Sequence, residues 1–188
     1  MRVLLHACCG PCLLEPFDDL ASEHHVTVCY ANPNIHPLAE YRRRRETLLD
    51  YAGGHGIRVV EEPYDPARWM RAVAGLEDDP ERRCAACYRL RIGMTAKRAA
   101  SEGFDAVATT LTVSPYQDVD AIREAGEEVC AAAGVRFLFV DYRERYSEAT
   151  RRSRDLGMYR QNYCGCLLSD IEAERERKQR QARRAARG

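Results

Sequence analysis

The chain has 188 residues, and its 29 basic and 29 acidic side chains leave no net charge. That length suffices for one domain with a real core, and no apolar run reaches the ~18 residues that a membrane-spanning helix requires. Only a few residues, one of them Arg, precede His6, too few for a secretory leader, so the expected location is the cytoplasm.

Short apolar runs predict strands at Val3–His6, Val26–Tyr30, Ile57–Glu61, Phe104–Thr109 and Val135–Val140. Helical patterns fall between them, at Leu13–Glu23, Glu40–Ala52, Asp65–Leu76, Cys84–Ser101 and Val119–Ala133. Alternating strands and helices predict an α/β domain with a mostly parallel five-stranded sheet and helices on both faces. The strands are apolar almost throughout, as a sheet covered on both faces requires. Glu77–Glu81 reads as an exposed acidic linker with a helix-stopping Pro80. Ser147–Gly157 and a last segment running into the C-terminus are further helices. Residues 1–174 are thus expected to form one domain, and 175–188 a basic tail, helical or frayed. The tail holds seven basic residues and one acidic, a net of +6, so the remainder carries −6. Such a tail suits a polyanion such as RNA, or is simply a solvated helix end.

The loop after the first strand is where open α/β sheets bind ligands. Here it reads His-Ala-Cys-Cys-Gly-Pro-Cys, with thiols where a nucleotide binder would carry glycines. Seven of nine cysteines fall in three clusters: Cys8, Cys9 and Cys12; Cys84 and Cys87; Cys164 and Cys166. Cys29 and Cys130 stand alone in apolar contexts and read as small core residues. In a cytoplasmic protein such clusters point to metal or redox chemistry. Four thiolates from two segments form the ligand set of a [4Fe–4S] cluster or a structural zinc. A C-x-x-C pair at a helix start, as at Cys84 and Cys87, would also have free backbone N–H groups nearby. The surplus pair, Cys164-Gly-Cys166, has a spacing suited to a strained, redox-active disulfide or to a second metal.

Five stretches together carry a family resemblance. HACCGPC at His6–Cys12, NPNIHP at Asn32–Pro37, CAACYRLR at Cys84–Arg91, TTLTVSPYQ at Thr109–Gln117 and YRQNYCGC at Tyr159–Cys166 resemble the cobalamin-independent epoxyqueuosine reductases. The resemblance implies a Rossmann-like domain similar to the adenine-nucleotide α-hydrolases. It also implies reduction of epoxyqueuosine to queuosine at the wobble position of tRNAs with GUN anticodons. The epoxide oxygen leaves as water, with two electrons passed through an iron–sulfur cluster from an unidentified low-potential donor. Carried onto this sequence, Cys8, Cys9, Cys84 and Cys87 are the expected [4Fe–4S] ligands and Cys164 with Cys166 the redox-active pair. Cys12 is a candidate ligand of an additional iron.

Epoxide opening leaves an alkoxide, which calls for a proton donor or a Lewis acid. Tyr116, Tyr163 and His6 are the candidate donors; His6 also reads as a hydrogen-bonded core histidine. Asn32, Asn34 and His36 either bond the modified base or form Asx turns. Tyr41 and Arg42–Arg45 open a helix, where the arginines either meet phosphate or form a solvated face. Ser114, Gln117, Arg160 and Gln161 complete the substrate-binding positions that the motifs imply, and Tyr88, Tyr116 and Tyr159 are available to stack bases. The competing readings are a non-catalytic zinc or iron–sulfur RNA-binding module, which leaves Cys164 and Cys166 without a purpose, and a thiol oxidoreductase or sulfur carrier, which would want a glycine-rich phosphate loop.

Overall fold

In the computed structural model, which describes residues 1–185, five parallel strands lie in the order β3-β2-β1-β4-β5. They are β1 (Arg2–His6), β2 (His25–Tyr30), β3 (Val59–Glu61), β4 (Ala106–Thr109) and β5 (Arg136–Phe137). Successive residues point to opposite faces of a strand, and both faces here are apolar. Val3, Leu5, Val28, Tyr30, Ala106 and Ala108 pack with Leu13, Leu20 and Leu48 of α1 (Gly10–Ala21) and α2 (Leu38–Gly54). Leu4, Cys29 and Val107 pack on the opposite face against Tyr88, Ile92, Ile122 and Cys130 of α4 (Pro80–Ser101) and α5 (Val119–Ala133). The mostly parallel sheet with helices on both faces is therefore present, and both lone cysteines are core residues.

The helix starts follow local chemistry. Asp65, Asp79 and Asp118 accept hydrogen bonds from the backbone N–H three residues on, capping α3 (Pro66–Val73), α4 and α5. Pro80, expected to stop a helix, instead opens α4 as its first residue. The first turn needs no N–H from that position, and the fixed proline φ already suits a helix. Consequently Cys84 lies one turn inside α4, and the pair Cys84–Cys87 does not have the free N–H groups of a helix start.

The last strand is shorter than its apolar run. Beyond Phe137 only the Leu138 amide still bonds the sheet, at the Val107 carbonyl (2.8 Å). The chain then crosses to α6 (Tyr146–Asp155), whose Arg152 pairs with Glu15 and Asp18 of α1. The final helix, α7 (Leu167–Ala185), is tied to α4 by the bidentate pair Arg83–Glu172 (2.7 and 2.9 Å). The expected tail is thus helical as far as residue 185; residues 186–188 lie outside the described residues. No helix among the described residues is long and apolar enough to cross a membrane.

Strand order reverses between β1 and β4, and that switch point is where such sheets open a crevice. The loop Ala7–Cys9 and the 3₁₀ turn Thr110–Val113 both start there.

One close approach fixes the edge of the sheet. A Cβ on Gly126 of α5 would meet the Phe137 ring at 2.2 Å. Overpacking of that kind costs about 1–3 kcal/mol, against the ~1 kcal/mol that Ala gains over Gly in a helix. Gly126→Ala is therefore expected to lower stability in thermal or denaturant unfolding; a rise would show that β5 yields freely.

Candidate functional site

β1 ends at His6, whose ring is fully buried between Thr109 Oγ1 (2.9 Å) and the Ala31 carbonyl (3.2 Å). Burial, then the Arg91 charge, lowers its pKa to about 3. It is neutral at physiological pH and has no proton to give as imidazolium, so the core-histidine reading holds.

Cys9 sits at the N-cap of α1 in an extended conformation, and Cys12 stands in the first turn. The helix therefore carries Cys12 back over the loop. The sulfurs of Cys8, Cys9 and Cys12 all lie within 4.8 Å of one another, a group that could hold a metal ion. Cys8 and Cys9 sulfurs are 3.7 Å apart. Two thiolates on one tetrahedral ion with bonds of about 2.3 Å stand about 3.8 Å apart, so this spacing suits direct ligation. Thr110 Oγ1 donates to Cys8 Sγ (3.5 Å) and Gln161 Nε2 to Cys9 Sγ (3.0 Å). Hydrogen bonds from Cys12 and Cys9 hold the Cys8 thiol well below its ordinary value, and donating to Cys8 and Cys9 pushes Cys12 up.

A second thiol group faces this one. Cys164 and Cys166 sulfurs are 3.7 Å apart, with Gly165 between them at φ 118°, a conformation that L side chains rarely adopt. A Cβ on Gly165 would also meet Arg44 Nη1 at 2.9 Å. Glycine is thus required twice over. The hydrogen bond from Cys166 draws Cys164 down to about 6, and the same bond pushes Cys166 up. Cys166 packs with Cys87 and Trp69 in one apolar cluster. Cys84 is pushed up to about 11, first by burial and then by the charges of Cys164 and Cys87. The α4 pair therefore neighbours Cys164 and Cys166, whereas the tight triplet joins Cys12, rather than Cys84 and Cys87, to Cys8 and Cys9. All nine cysteines are free thiols.

Two arginines bind the groups into one site. Arg44 is 1% exposed; its Nε bonds Glu40 (2.7 Å), and its two terminal nitrogens donate to the carbonyls of Cys164 (3.0 Å) and Tyr163 (3.2 Å). Arg44 thus leaves the expected arginine face of α2, because Glu40 one turn earlier draws it inward. Arg45 pairs with Glu61, while Arg42 and Arg43 stay exposed. Arg91 is buried, donates to Asn32 Oδ1 (2.6 Å), and its charge acts on His6, Cys8, Cys87 and Cys164. In the sequence alone Arg91 stands out only as the last residue of the CAACYRLR motif.

A cavity of about 530 Å³ opens between the thiol groups. Of the expected residues it is lined by Cys8, Cys12, Ser114, Tyr116, Gln117, Gln161, Tyr163 and Cys164, joined by Arg44, Arg91, Thr110 and, unforeseen, Tyr146 and Arg180. Asn32 is committed internally, donating to the Ala7 carbonyl (2.8 Å) and accepting from Arg91, so it braces the loop. Tyr41 is buried against Tyr64 and Tyr30. Arg160 reaches Thr150 (3.5 Å). Asn34 Oδ1, His36 Nε2 and Gln161 Oε1 are buried with no hydrogen-bond partner among the described residues. Tyr163 donates its hydroxyl to the His36 carbonyl, and burial pushes its pKa up to about 12. Tyr116, 84% exposed, stands at the mouth, where water would compete with any proton transfer.

Residues 3–172 match the family model described as epoxyqueuosine reductase QueH. The chain belongs to that family. An epoxyqueuosine reductase QueH of Dehalococcoides mccartyi is 36% identical over 174 residues, 91% of this chain and 93% of the relative. Those of Thermotoga maritima (34%; 90% and 91% covered) and Staphylococcus epidermidis (31%; 91% and 77%) are also similar. The cysteine clusters all lie within the matched family segment, whereas Arg180 lies beyond it.

A thiolate, not a thiol, is the alkylated form. With Cys164 drawn down to about 6, its alkylation by iodoacetamide in the metal-free protein should already be fast at neutral pH and fall as pH drops through about 6. Peptide mass mapping across a pH series checks this; a midpoint near the ~8.5 of a free cysteine would contradict it.

Proposed function

We propose that this protein reduces epoxyqueuosine to queuosine at the wobble position of tRNAs with GUN anticodons, using an iron–sulfur cluster and no cobalamin. The observation that carries the reading is the pair of facing thiol groups on one cavity, in a chain of the epoxyqueuosine reductase family. In this reading Cys8, Cys9, Cys84 and Cys87 would hold a [4Fe–4S] cluster and Cys12 an additional iron, with the Cys8 and Cys9 sulfurs parting from their 3.7 Å contact to take separate irons. When bound, the cluster supplies one-electron carriage from a low-potential donor.

The chain's own residues account for the rest of the chemistry. Cys164 and Cys166 supply two electrons by closing a disulfide; Cys164 is already a thiolate at neutral pH, so Cys166 gives one of the two protons and Tyr163 the other. The substrate gains a carbon–carbon double bond, and its epoxide oxygen leaves as water. Their sulfurs stand 3.7 Å apart and close to about 2.05 Å on bonding. A five-atom backbone link through Gly165 strains that bond, which keeps it readily reducible for the next turnover. Tyr163, adjacent to Cys164 and protonated at neutral pH, is placed to protonate the departing oxygen if its hydroxyl turns from the His36 carbonyl. Gln161, which lines the cavity, has an unpaired Oε1 that offers a hydrogen bond to a polar modified base, whereas Asn34 and His36 do not line it.

The test is anaerobic incubation of reconstituted protein with epoxyqueuosine-tRNA and a low-potential reductant, followed by nucleoside mass analysis. The expected product lacks one oxygen. Cys164→Ser should lower turnover by at least ~10²-fold while retaining iron and its absorbance; loss of iron in that variant would make Cys164 a ligand. Stoichiometric zinc with no iron in the native protein would overturn the cluster reading.

A further inference from the structure

Among the described residues Tyr116 is the one exposed tyrosine of ten. It is 84% exposed, yet the segment carrying it is well braced. The Gln117 amide bonds the Ser114 carbonyl (3.2 Å), and the Tyr116 amide bonds Ser114 Oγ (3.3 Å). Gln117 Oε1 accepts from the buried Tyr88 hydroxyl (2.7 Å), and Asp118 caps α5. The Tyr146 ring meets Tyr116 edge to face, with centroids 6.3 Å apart and planes at 89°. Both rings line the cavity that holds Cys8, Cys12 and Cys164, and Arg180 of α7 lines it too.

An aromatic face fixed in solvent, backed by a second ring, at the mouth of a cavity with three arginines has the chemistry of a nucleotide platform. Bases of single-stranded loops stack on such rings, while guanidinium groups take their phosphates. The wobble base must enter the cavity to reach Cys164, which leaves its neighbour in the loop at the mouth.

We propose that Tyr116, braced by Tyr146, stacks the nucleobase adjacent to the modified one, and that Arg180 holds a phosphate of the same segment. This rests on the reading of the substrate as tRNA. The hydroxyl of Tyr116 is not needed for this role; its ring face is. Arg180 lies past residue 172, where the family match ends, so its part of the contact belongs to this chain's own α7.

The probe is a fluorescein-labelled anticodon stem–loop RNA of GUN sequence, bound to the full-length reconstituted protein and read by anisotropy. Companion RNAs carry an abasic site on one or the other side of the wobble position. Tyr116→Ala should weaken the intact RNA by about tenfold or more, but leave one abasic RNA bound no worse than by wild type. Tyr116→Phe keeps the ring face and should bind the intact RNA as tightly as wild type. Arg180→Gln should lower the slope of log affinity against log salt by about 1. Equal losses on the intact RNA and both abasic RNAs would overturn the stacking role. Tyr116→Phe losing turnover with affinity intact would make Tyr116 a proton donor instead. An unchanged salt slope for Arg180→Gln would remove Arg180 from the contact. If wild type binds the RNA with this pattern but never reduces epoxyqueuosine, the reductase reading fails and the platform stands.

Discussion

Arg91 is the constraint around which the site is organised. A guanidinium removed from water costs several kcal/mol unless its charge is answered. Its hydrogen bond here goes to the amide oxygen of Asn32, not to a carboxylate. The groups that feel its charge are His6, Cys8, Cys87 and Cys164. His6 is held neutral, so the compensating negative charge has to come from sulfur. Thiolates, free or bound to metal, supply it. The buried cation thus favours the ionised, ligating form of the cysteines on both sides of it.

Arg44 applies the same logic to the backbone. Glu40 answers its charge, and its remaining donors hold the carbonyls of Tyr163 and Cys164. The 162–166 segment has little regular structure to fix it, so these two bonds stand in for a helix or strand. Gly165 is the counterpart: only a residue without Cβ lets the chain lie this close to the guanidinium. Sequence positions 44, 91 and 164 are far apart, yet each one's placement depends on the others.

That distance explains what could and could not be read beforehand. The strands and their order of helices follow from apolar periodicity, which is local. The cysteine motifs and the family they belong to are short-range patterns as well. Pro80 reads as a helix stop in the sequence because a proline that ends one helix and one that opens another look alike until the Asp79 cap is considered. Arg44 hid inside four arginines, although the i,i+4 spacing to Glu40 was a usable signal. The burial of Arg91 and the arrival of Tyr146 at the cavity are tertiary facts with no periodic trace.

α7 shows how a segment that looks peripheral in sequence becomes part of the site. Its composition is that of a solvated basic helix, and charge alone leaves its role open. What decides is the anchor. Glu172 makes a bidentate bond to Arg83, whose side chain is only 3% exposed on α4, and the Asp170 amide bonds back to the Cys166 carbonyl (3.1 Å). The helix therefore leaves the Cys164–Cys166 segment in a fixed direction. At about 1.5 Å per residue, the thirteen steps from Leu167 to Arg180 run about 20 Å, and Arg180 still lines the cavity. A helix pinned at its base beside the thiols and flanking the same opening further along is a wall of the site. The positive charge of Arg180 is therefore presented at that opening.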